Sequence, residues 1–401
     1  MERREVVIVG GGPAGAAIAI GLAGRGRDVL LLERSPAWRW RACGVFTSPV
    51  TVRALVRLGL TDADLAAVAR PVPAMRVETP AGTRFRLTYG DDGSAALGTA
   101  AVGLDRSSLD PLLLERARAA GAEVREGAAV RDFDSDDGRI SLADGARVEA
   151  RLVVGCDGIR SIVARCASAS REVFLSPRTG LTFHVPDPSP ALPRDARMIV
   201  FDGGYVGLAP VPGARVNVGI VVGGRWRERL RTDGAAQVAA DVLRGIPAAD
   251  DDPVDWTTAI EDATDQIEGA SPIGHRVSHR HGPRWLLVGD AAGFLDPFTG
   301  EGLHRALVSA ELATPAIDRH LSGDRHALFG YDRAMTARFR SKDAVSLLVQ
   351  GFLARPALFE RAARSLAERP AVRETMGLVM GDLVPATRAL DPRFVAALLR
   401  P

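Results

Sequence analysis

Glu5-Val6-Val7-Ile8-Val9-Gly10-Gly11-Gly12-Pro13-Ala14-Gly15-Ala16 is the stretch on which the fold turns. Glu5 to Val9 is a short β-branched run and reads as a buried strand; the glycines read as a turn, and residues 16–25, rich in small side chains, as a helix. Asp28 to Glu33 is a second apolar strand, which completes a β-α-β unit. Gly10, Gly12 and Gly15 meet the G-x-G-x-x-G spacing directly between strand and helix. The first glycine permits the tight turn, the second lets backbone approach a pyrophosphate, and the third allows close helix–strand packing. Pro13 and Ala14 open the helix, whose N-terminus offers N–H groups and partial positive charge to the anion. Glu33 ends the second strand about twenty positions after the glycines, where an acidic residue accepts hydrogen bonds from an adenosine ribose. A glycine-rich turn without a ligand would not require that glutamate. The fingerprint expects a dinucleotide and does not separate NAD from FAD.

The rest of the chain is long enough for two or three domains: 401 residues, 46% hydrophobic and 25% charged, an ordinary soluble composition. A net charge of +2 provides no field for nucleic acid or an anionic membrane. The only lysine is Lys342, so a mechanism needing a catalytic lysine must use that residue. Three cysteines, Cys43, Cys156 and Cys166, form neither a C-x-x-C pair nor a zinc spacing, and Cys156 and Cys166 read as core. The N-terminal apolar run enters the glycine turn rather than a cleavage site, and no stretch reaches the length of a membrane span. A cytoplasmic chain, at most membrane-peripheral, is expected.

Helical spacing recurs over residues 51–69 and again over 106–120, with hairpin signals at Pro80-Ala81-Gly82 and Asp91-Asp92-Gly93 between them. Short strands follow around Val124, Phe133, Ile140 and Val148. Leu152-Val153-Val154 leads into Gly155-Cys156-Asp157-Gly158. Residues 171–270 alternate between Pro/Gly turns and read as a mainly antiparallel sheet. Trp285 to Val288 is a buried strand before Gly289-Asp290, a long helix begins at about Gly302, and everything after Arg319 has a helical pattern.

Gly155-Cys156-Asp157-Gly158-Ile159-Arg160-Ser161 resembles the internal "DG" motif of FAD enzymes in the para-hydroxybenzoate hydroxylase superfamily, and Gly289-Asp290-Ala291-Ala292-Gly293 resembles their "GD" motif. Arg106-Ser107-Ser108-Leu109 is similar to their Arg-x-x-Leu element, whose arginine approaches the cofactor. Within the superfamily, Gly289–Leu303, spelled GDAAGFLDPFTGEGL, most resembles the geranylgeranyl reductase-like branch. Ala42-Cys43-Gly44-Val45-Phe46-Thr47-Ser48-Pro49 is similar to that branch's Cys-Gly-x-x-x-Ser-Pro segment beside the isoalloxazine. Tyr205-Val206-Gly207-Leu208-Ala209-Pro210 keeps the tyrosine of its Tyr-x-Trp-x-Phe-Pro motif and lacks the tryptophan and phenylalanine. The resemblance implies an α/β protein with a discontinuous Rossmann-like FAD-binding domain (1–75, 101–170 and 271–318). It also implies an inserted, mainly antiparallel β-sheet substrate domain (76–100 and 171–270) and a helical C-terminal region (319–401).

FAD, tightly bound, is then the expected cofactor. Asp290 would accept hydrogen bonds from the ribityl hydroxyls, or cap a helix, or both. Pro297, Gly300, Gly302 and Leu303 lie in the segment leading into the long helix, whose dipole would favour negative charge on the flavin. Arg34 or Arg41 would reach the phosphates or adenine, and Gly44, Arg106, Val130 and Asp157 complete the implied cofactor set. Cys43 is the candidate at the reacting face, as proton donor, flavin contact or packing residue; Tyr205 would donate a proton or line the pocket. His275, His279 and His281 lack a completing ligand at metal spacing and read as a solvated turn. The amphipathic stretch 344–359 packs on the FAD-binding domain or meets a membrane or greasy substrate.

Two reactions fit this scaffold. One is hydride transfer at flavin N5 to or from a C=C bond of a hydrophobic small molecule. The other is monooxygenation of a small hydrophobic or aromatic metabolite through a flavin C4a-peroxide. The GDAAG…TGEG spelling favours the first. Flavin halogenases share the scaffold but use an N-terminal-half lysine, and Lys342 lies in the C-terminal helices. With no second dinucleotide fingerprint, electrons would come from NAD(P)H bound transiently, or from a flavin reductase or ferredoxin-type donor.

Overall fold

A computed structural model describes residues 1–38, 40–41, 44–89, 100–173, 177–247, 254–263 and 266–400. Cys43 and the Asp91-Asp92-Gly93 turn lie outside the described residues.

The expected β-α-β unit forms the centre of an eight-stranded sheet. Glu2–Val9 pairs in parallel with Val29–Leu32 on one side and with Arg147–Gly155 on the other, Val6 standing opposite Val29 and Leu152. Glu123–Arg125 extends the parallel sheet beyond Val29–Leu32, and Trp285–Leu287 extends it beyond Arg147–Gly155. The central strands are buried on both faces, which is why they read as unbroken Val/Ile/Leu runs. The chain runs outward in one direction from the first strand, then returns to build the other side. The order therefore reverses between Glu2–Val9 and Arg147–Gly155. In open α/β sheets the crevice at the carboxyl ends of such strands is where ligands bind. Gly10, Cys156 and Gly289 follow these ends on three adjacent strands.

The helix Pro13–Ala23 is apolar all round because it is covered on every side, by the sheet, by Arg106–Ala119 and by Gly302–Leu321. At Gly21 an added Cβ would come within 2.8 Å of Thr314 Cγ2, so the small residue sets how closely the long helix approaches.

The second sheet has seven strands, in the order Glu268–Ala270, Thr179–Pro186, Arg215–Val222, Gly204–Val211, Ala196–Phe201, Ala74–Glu78 and Arg84–Thr88. All neighbours are antiparallel except Ala196–Phe201 with Ala74–Glu78. The Pro80-Ala81-Gly82 signal closes the hairpin of the last two strands, Gly82 N–H donating to Thr79 O at 3.0 Å. Alternation divides the faces. Leu181, Phe183, Val206, Leu208 and Val218 pack under the helix Gly234–Arg244, while Met75, Val77, Met198, Val200 and Tyr205 face the C-terminal helices. Gly234–Arg244 and the preceding Arg225–Thr232 interrupt what the sequence reads as continuous sheet. Val238, Ala239, Val242 and Leu243 provide only two turns of helical periodicity, which the surrounding alternation masks.

Phe46–Thr47, Ala101–Leu104 and Ala69–Val72 form a small sheet between the two large ones. Gly103 lies so close to Pro210 O that a Cβ would stand 1.9 Å from it, docking this small sheet on the second one. Ala327–Leu353, Pro356–Glu368, Pro370–Met380 and Pro392–Leu398 complete the chain, three of them opening on proline, which pre-sets the helical φ. Val345, Phe352 and Phe359 are buried, but Phe352 and Phe359 lie in the cluster with Met75, Met198 and Val200 of the second sheet and not in the core of the first sheet, because the C-terminal helices cover the second sheet's face. Among the described residues no helix is long and apolar enough to cross a membrane.

Candidate functional site

Gly10 adopts φ +105°, and a Cβ there would stand 2.5 Å from Cys156 O; Gly15 approaches Gly10 O so closely that a Cβ would lie 2.0 Å away. Both glycines are required by the fold itself. Gly12 is different, since nothing lies within 4 Å of an added Cβ. It faces open space at the N-terminus of Pro13–Ala23, beside the first-turn N–H groups of Ala14 and Gly15, which have no intrahelical acceptor. The turn has the room and the polarity that an anion needs.

Glu33 is buried and holds this turn. Its Oε2 accepts from Gly11 N–H at 2.8 Å, and its Oε1 accepts from Ser35 N–H at 2.9 Å and Arg41 Nη2 at 2.8 Å. Burial alone would raise its pKa, but the Ser35 and Gly11 N–H groups with the Arg41 guanidinium hold it below the usual range, so the carboxylate is charged. Arg41 also donates to Ser35 Oγ at 2.7 Å, which ties its guanidinium to Glu33 while leaving Nε sealed and without a partner. Arg34 is exposed. Val130 starts the strand just beyond Ala128, whose N–H donates to Glu33 O at 2.8 Å, and so lies at the same end of the site.

Asp157 points inward. Its Oδ2 accepts from Ile162 N–H at 2.6 Å, and Ser161 Oγ accepts from Ala164 N–H at 3.0 Å, so the two together cap the short helix Ile162–Cys166. Burial raises the Asp157 carboxyl. Its turn backs directly on Gly10, where a Cβ would meet Asp157 Cα at 2.9 Å. Cys156 is buried as expected; Cys166 is half-buried at the helix end, its Sγ 3.4 Å from Asp132 Oδ1.

Asp290, like Asp157 at its Oδ1, carries an unsatisfied carboxylate oxygen. Its side chain caps no helix, and Oδ1 is sealed from solvent with no partner. Burial pushes the carboxyl up to about 6, against the pull of Arg305 and Arg106. Its turn is rigidly held: Gly289 N–H donates to Ser309 Oγ at 2.9 Å, Arg280 Nε to Ala292 O at 3.1 Å, and His275 Nε2 lies 3.1 Å from Ala291 O. His275 therefore does not sit on a solvated turn. It is 7% exposed, bridged through its backbone to Phe294, and burial lowers its pKa toward the neutral ring. The three-histidine pattern concealed this because sequence spacing does not tell which ring faces inward. No metal-holding cluster occurs among the described residues.

The segment before the long helix is fastened by Asp296, which the sequence reading did not single out. Asp296 Oδ1 accepts from Phe298 N–H at 3.0 Å and from Tyr205 OH at 2.6 Å, and Oδ2 lies 3.1 Å from Arg178 Nη1. Tyr205 is thus committed: burial and the adjacent carboxylate raise its pKa, its hydroxyl keeps its proton and donates it in a hydrogen bond to Asp296, and its ring meets Phe298 edge-on at 5.0 Å. The 3-10 turn Pro297–Thr299 ends at Gly300, φ +67°, where a Cβ would lie 2.8 Å from Phe46 Cδ1. Gly302 opens the helix and Leu303 is buried behind it. On the opposite side, Arg106 makes a two-pronged pair with Asp110 at 2.7 and 2.8 Å and donates to Gly44 O at 3.2 Å.

Four turns therefore converge: open backbone at Gly12, an anionic Glu33, an orphaned Asp290 and a helix start at Gly302. Phe46, Tyr205 and Phe298 join them to the apolar cluster that runs on to Met198 and Phe352.

Residues 3–332 match the family described as the FAD binding domain. The chain is 31% identical over 329 residues to digeranylgeranylglycerophospholipid reductase 2 of Methanopyrus kandleri, covering 77% of this chain and 75% of that protein. It is 27% identical over 334 residues to rifampicin monooxygenase of Rhodococcus hoagii, covering 76% of this chain and 62% of that protein. A solved structure from Thermoplasma acidophilum, described as geranylgeranyl bacteriochlorophyll reductase-like, has a TM-score of 0.77 at 20% identity, covering 98% of this chain and 99% of that one. That likeness is one of fold.

Proposed function

The chain belongs to the FAD binding domain family of flavin-dependent oxidoreductases, and on that premise we propose that it reduces a C=C bond of a hydrophobic small molecule. The residues present fit FAD. Gly12 opens onto free space at a helix N-terminus, and the sealed Asp290 Oδ1 has no protein partner, as expected of a group that awaits a ligand hydroxyl. That orphaned carboxylate oxygen is the observation that carries the cofactor reading.

When bound, FAD supplies two-electron chemistry, its reduced ring delivering hydride from N5 to one carbon of the double bond. The backbone at Gly12, Ala14 and Gly15 would hold the pyrophosphate, and Glu33 would accept from the adenosine ribose. Asp290 would accept from the ribityl chain. The helix start at Gly302 would set partial positive charge beside the anionic edge of the reduced ring, stabilising the form that gives up hydride. Phe46, Phe298 and the apolar cluster behind them would exclude water and bind an apolar substrate. The proton for the second carbon comes from water or a protein acid. Tyr205 is engaged by Asp296 and serves to hold the turn. Electrons would be resupplied by NAD(P)H visiting transiently, or by a ferredoxin- or flavin reductase-type donor.

Reduction is favoured by the GDAAGFLDPFTGEGL spelling of residues 289–303 together with the similarity to a reductase. The similarity to rifampicin monooxygenase favours the second reading, in which bound FAD would supply O₂ activation, with one oxygen atom entering the substrate and the other leaving as water. Single-turnover reaction of the reduced protein with isoprenoid and quinone substrates separates the two. A product two hydrogens richer under strict anaerobiosis supports reduction. A product formed only in air and carrying oxygen from labelled O₂ overturns it.

A further inference from the structure

The single lysine of this chain, remote in sequence from every flavin motif, has its ammonium group beside the cofactor site. Lys342 belongs to Ala327–Leu353, yet its Nζ donates to Glu301 Oε1 at 3.0 Å and to Val379 O at 2.9 Å, and pairs with Asp382 Oδ1 at 2.6 Å. At 3% exposure, its ammonium is held by two hydrogen bonds and two ion pairs, to Glu301 and Asp382. No free amine remains for chemistry of its own, so the case against a lysine-dependent reaction rests on occupied donors and not on distance along the chain.

The partners of this lysine are informative. Glu301 is the acid of Thr299-Gly300-Glu301-Gly302 and the residue from which Gly302–Leu321 starts. Asp382, held at φ +61°, lies just past Pro370–Met380, and its Oδ2 accepts from Ser48 Oγ at 3.0 Å. Ser48 is the serine of the Cys-Gly-x-x-x-Ser-Pro segment and the N-cap of Pro49–Arg57. A continuous buried path, Ser48–Asp382–Lys342–Glu301, therefore joins the two motifs that resemble flavin-flanking segments, and its middle members both come from the C-terminal region. His304 fills the space beside it, 3.5 Å from Thr51 Oγ1 and 3.2 Å from Arg338 Nη2. A buried charge network on this scale is expensive to desolvate, and apolar residues of similar volume would pack the same helices at less cost. What the ion network adds over apolar packing is a defined position for each end.

We propose that Lys342 is a positioning residue for the flavin, fixing the helix start at Gly302 and the segment around Ser48 relative to each other across the ring. The C-terminal helices are then a working part of the cofactor site and not only a cover for the second sheet. This rests on the FAD reading above.

The test uses the full chain, stripped of cofactor and titrated with FAD. Lys342→Met should raise the FAD dissociation constant by about tenfold, the loss of one charge-assisted contact's worth of placement, and shift the visible flavin bands and midpoint potential. Arg197→Met breaks a buried pair with Glu78 in the second sheet and serves as the control: it should lower thermal stability while leaving FAD affinity, spectrum and potential as in the wild type. If Lys342→Met does not fold, Ser48→Ala cuts the far end of the same path and leaves every charge paired. It should weaken FAD binding several-fold and move the flavin spectrum in the same sense. A loaded variant with wild-type affinity, spectrum and potential overturns the proposal, as does a Lys342 effect no different from that of Arg197→Met. A wild-type chain that takes up no FAD overturns the functional reading itself.

Discussion

Asp290 carries a carboxylate oxygen with no solvent and no partner, and a pKa pushed up to about 6 by burial. A folded-state value above the ordinary 3.8 means that the native fold prefers the protonated acid. Its contribution to stability is complete below about 3.8 and is lost as pH rises through about 6. The carboxylate accepts from ribityl hydroxyls more strongly than the neutral acid does, so FAD binding should favour loss of this proton. Affinity should therefore fall as pH drops from about 7.5 to about 5, by up to about tenfold per pH unit below 6, and Asp290→Asn should flatten the dependence. Fluorescence titration of the cofactor-free chain across that range checks it; a dissociation constant indifferent to pH contradicts the assignment. Tyr205 offers a second residue-scale test. Tyr205→Phe removes the phenol from Asp296 and should cost about 1–3 kcal/mol in denaturant unfolding. Turnover should fall less than about tenfold, whereas a loss beyond about a hundredfold would make the phenol the proton donor.

At the scale of the element, the strand–turn–helix around Gly10–Gly15 separates two roles that the fingerprint merges. Gly15→Ala would force a Cβ to 2.0 Å from Gly10 O and should destabilise the fold outright, with a lowered melting temperature in the absence of cofactor. Gly12→Ala meets nothing within 4 Å and should melt like the wild type without FAD while binding FAD at least about tenfold more weakly, because the methyl occupies the pyrophosphate's space. Equal melting losses for the two variants would contradict this division. The unit itself was legible because strand, turn and helix are contiguous and each carries a local signal. Gly234–Arg244 was not, because two turns of periodicity inside an alternating region carry little information. His275 looked like part of an exposed cluster for a related reason: its burial is produced by Phe294 and Ala291, which lie far along the chain.

Over the whole molecule, the candidate cofactor site draws on strand ends of the first sheet, the small bridging sheet, Tyr205 of the second sheet and, on the proposal made for Lys342, the C-terminal helices. Ligand binding at such a junction stabilises all of it together. FAD at a hundred times its dissociation constant should raise unfolding free energy by about 2.7 kcal/mol and move a single cooperative transition. Differential scanning calorimetry reads this directly. Two transitions, of which FAD shifts only one, would mean that the sheets unfold independently.

The sequence alone determined the β-α-β core, the three glycine-marked strand ends and the FAD expectation, since each depends on neighbours along the chain and on residue types that few other conformations require. Only the tertiary structure decided which acids hold the scaffold and which await a ligand. Asp296 is consumed by a backbone N–H, Arg178 and Tyr205; Asp157 spends Oδ2 on Ile162 N–H and keeps Oδ1 sealed without a partner, and Asp290 Oδ1 is likewise left open. It also brought Lys342 to Glu301, 41 positions away, and to Ser48 through Asp382. Hydrogen-bond satisfaction and burial are properties of packed surroundings, and a charge whose partners arrive from two distant segments leaves no mark at its own position in the chain.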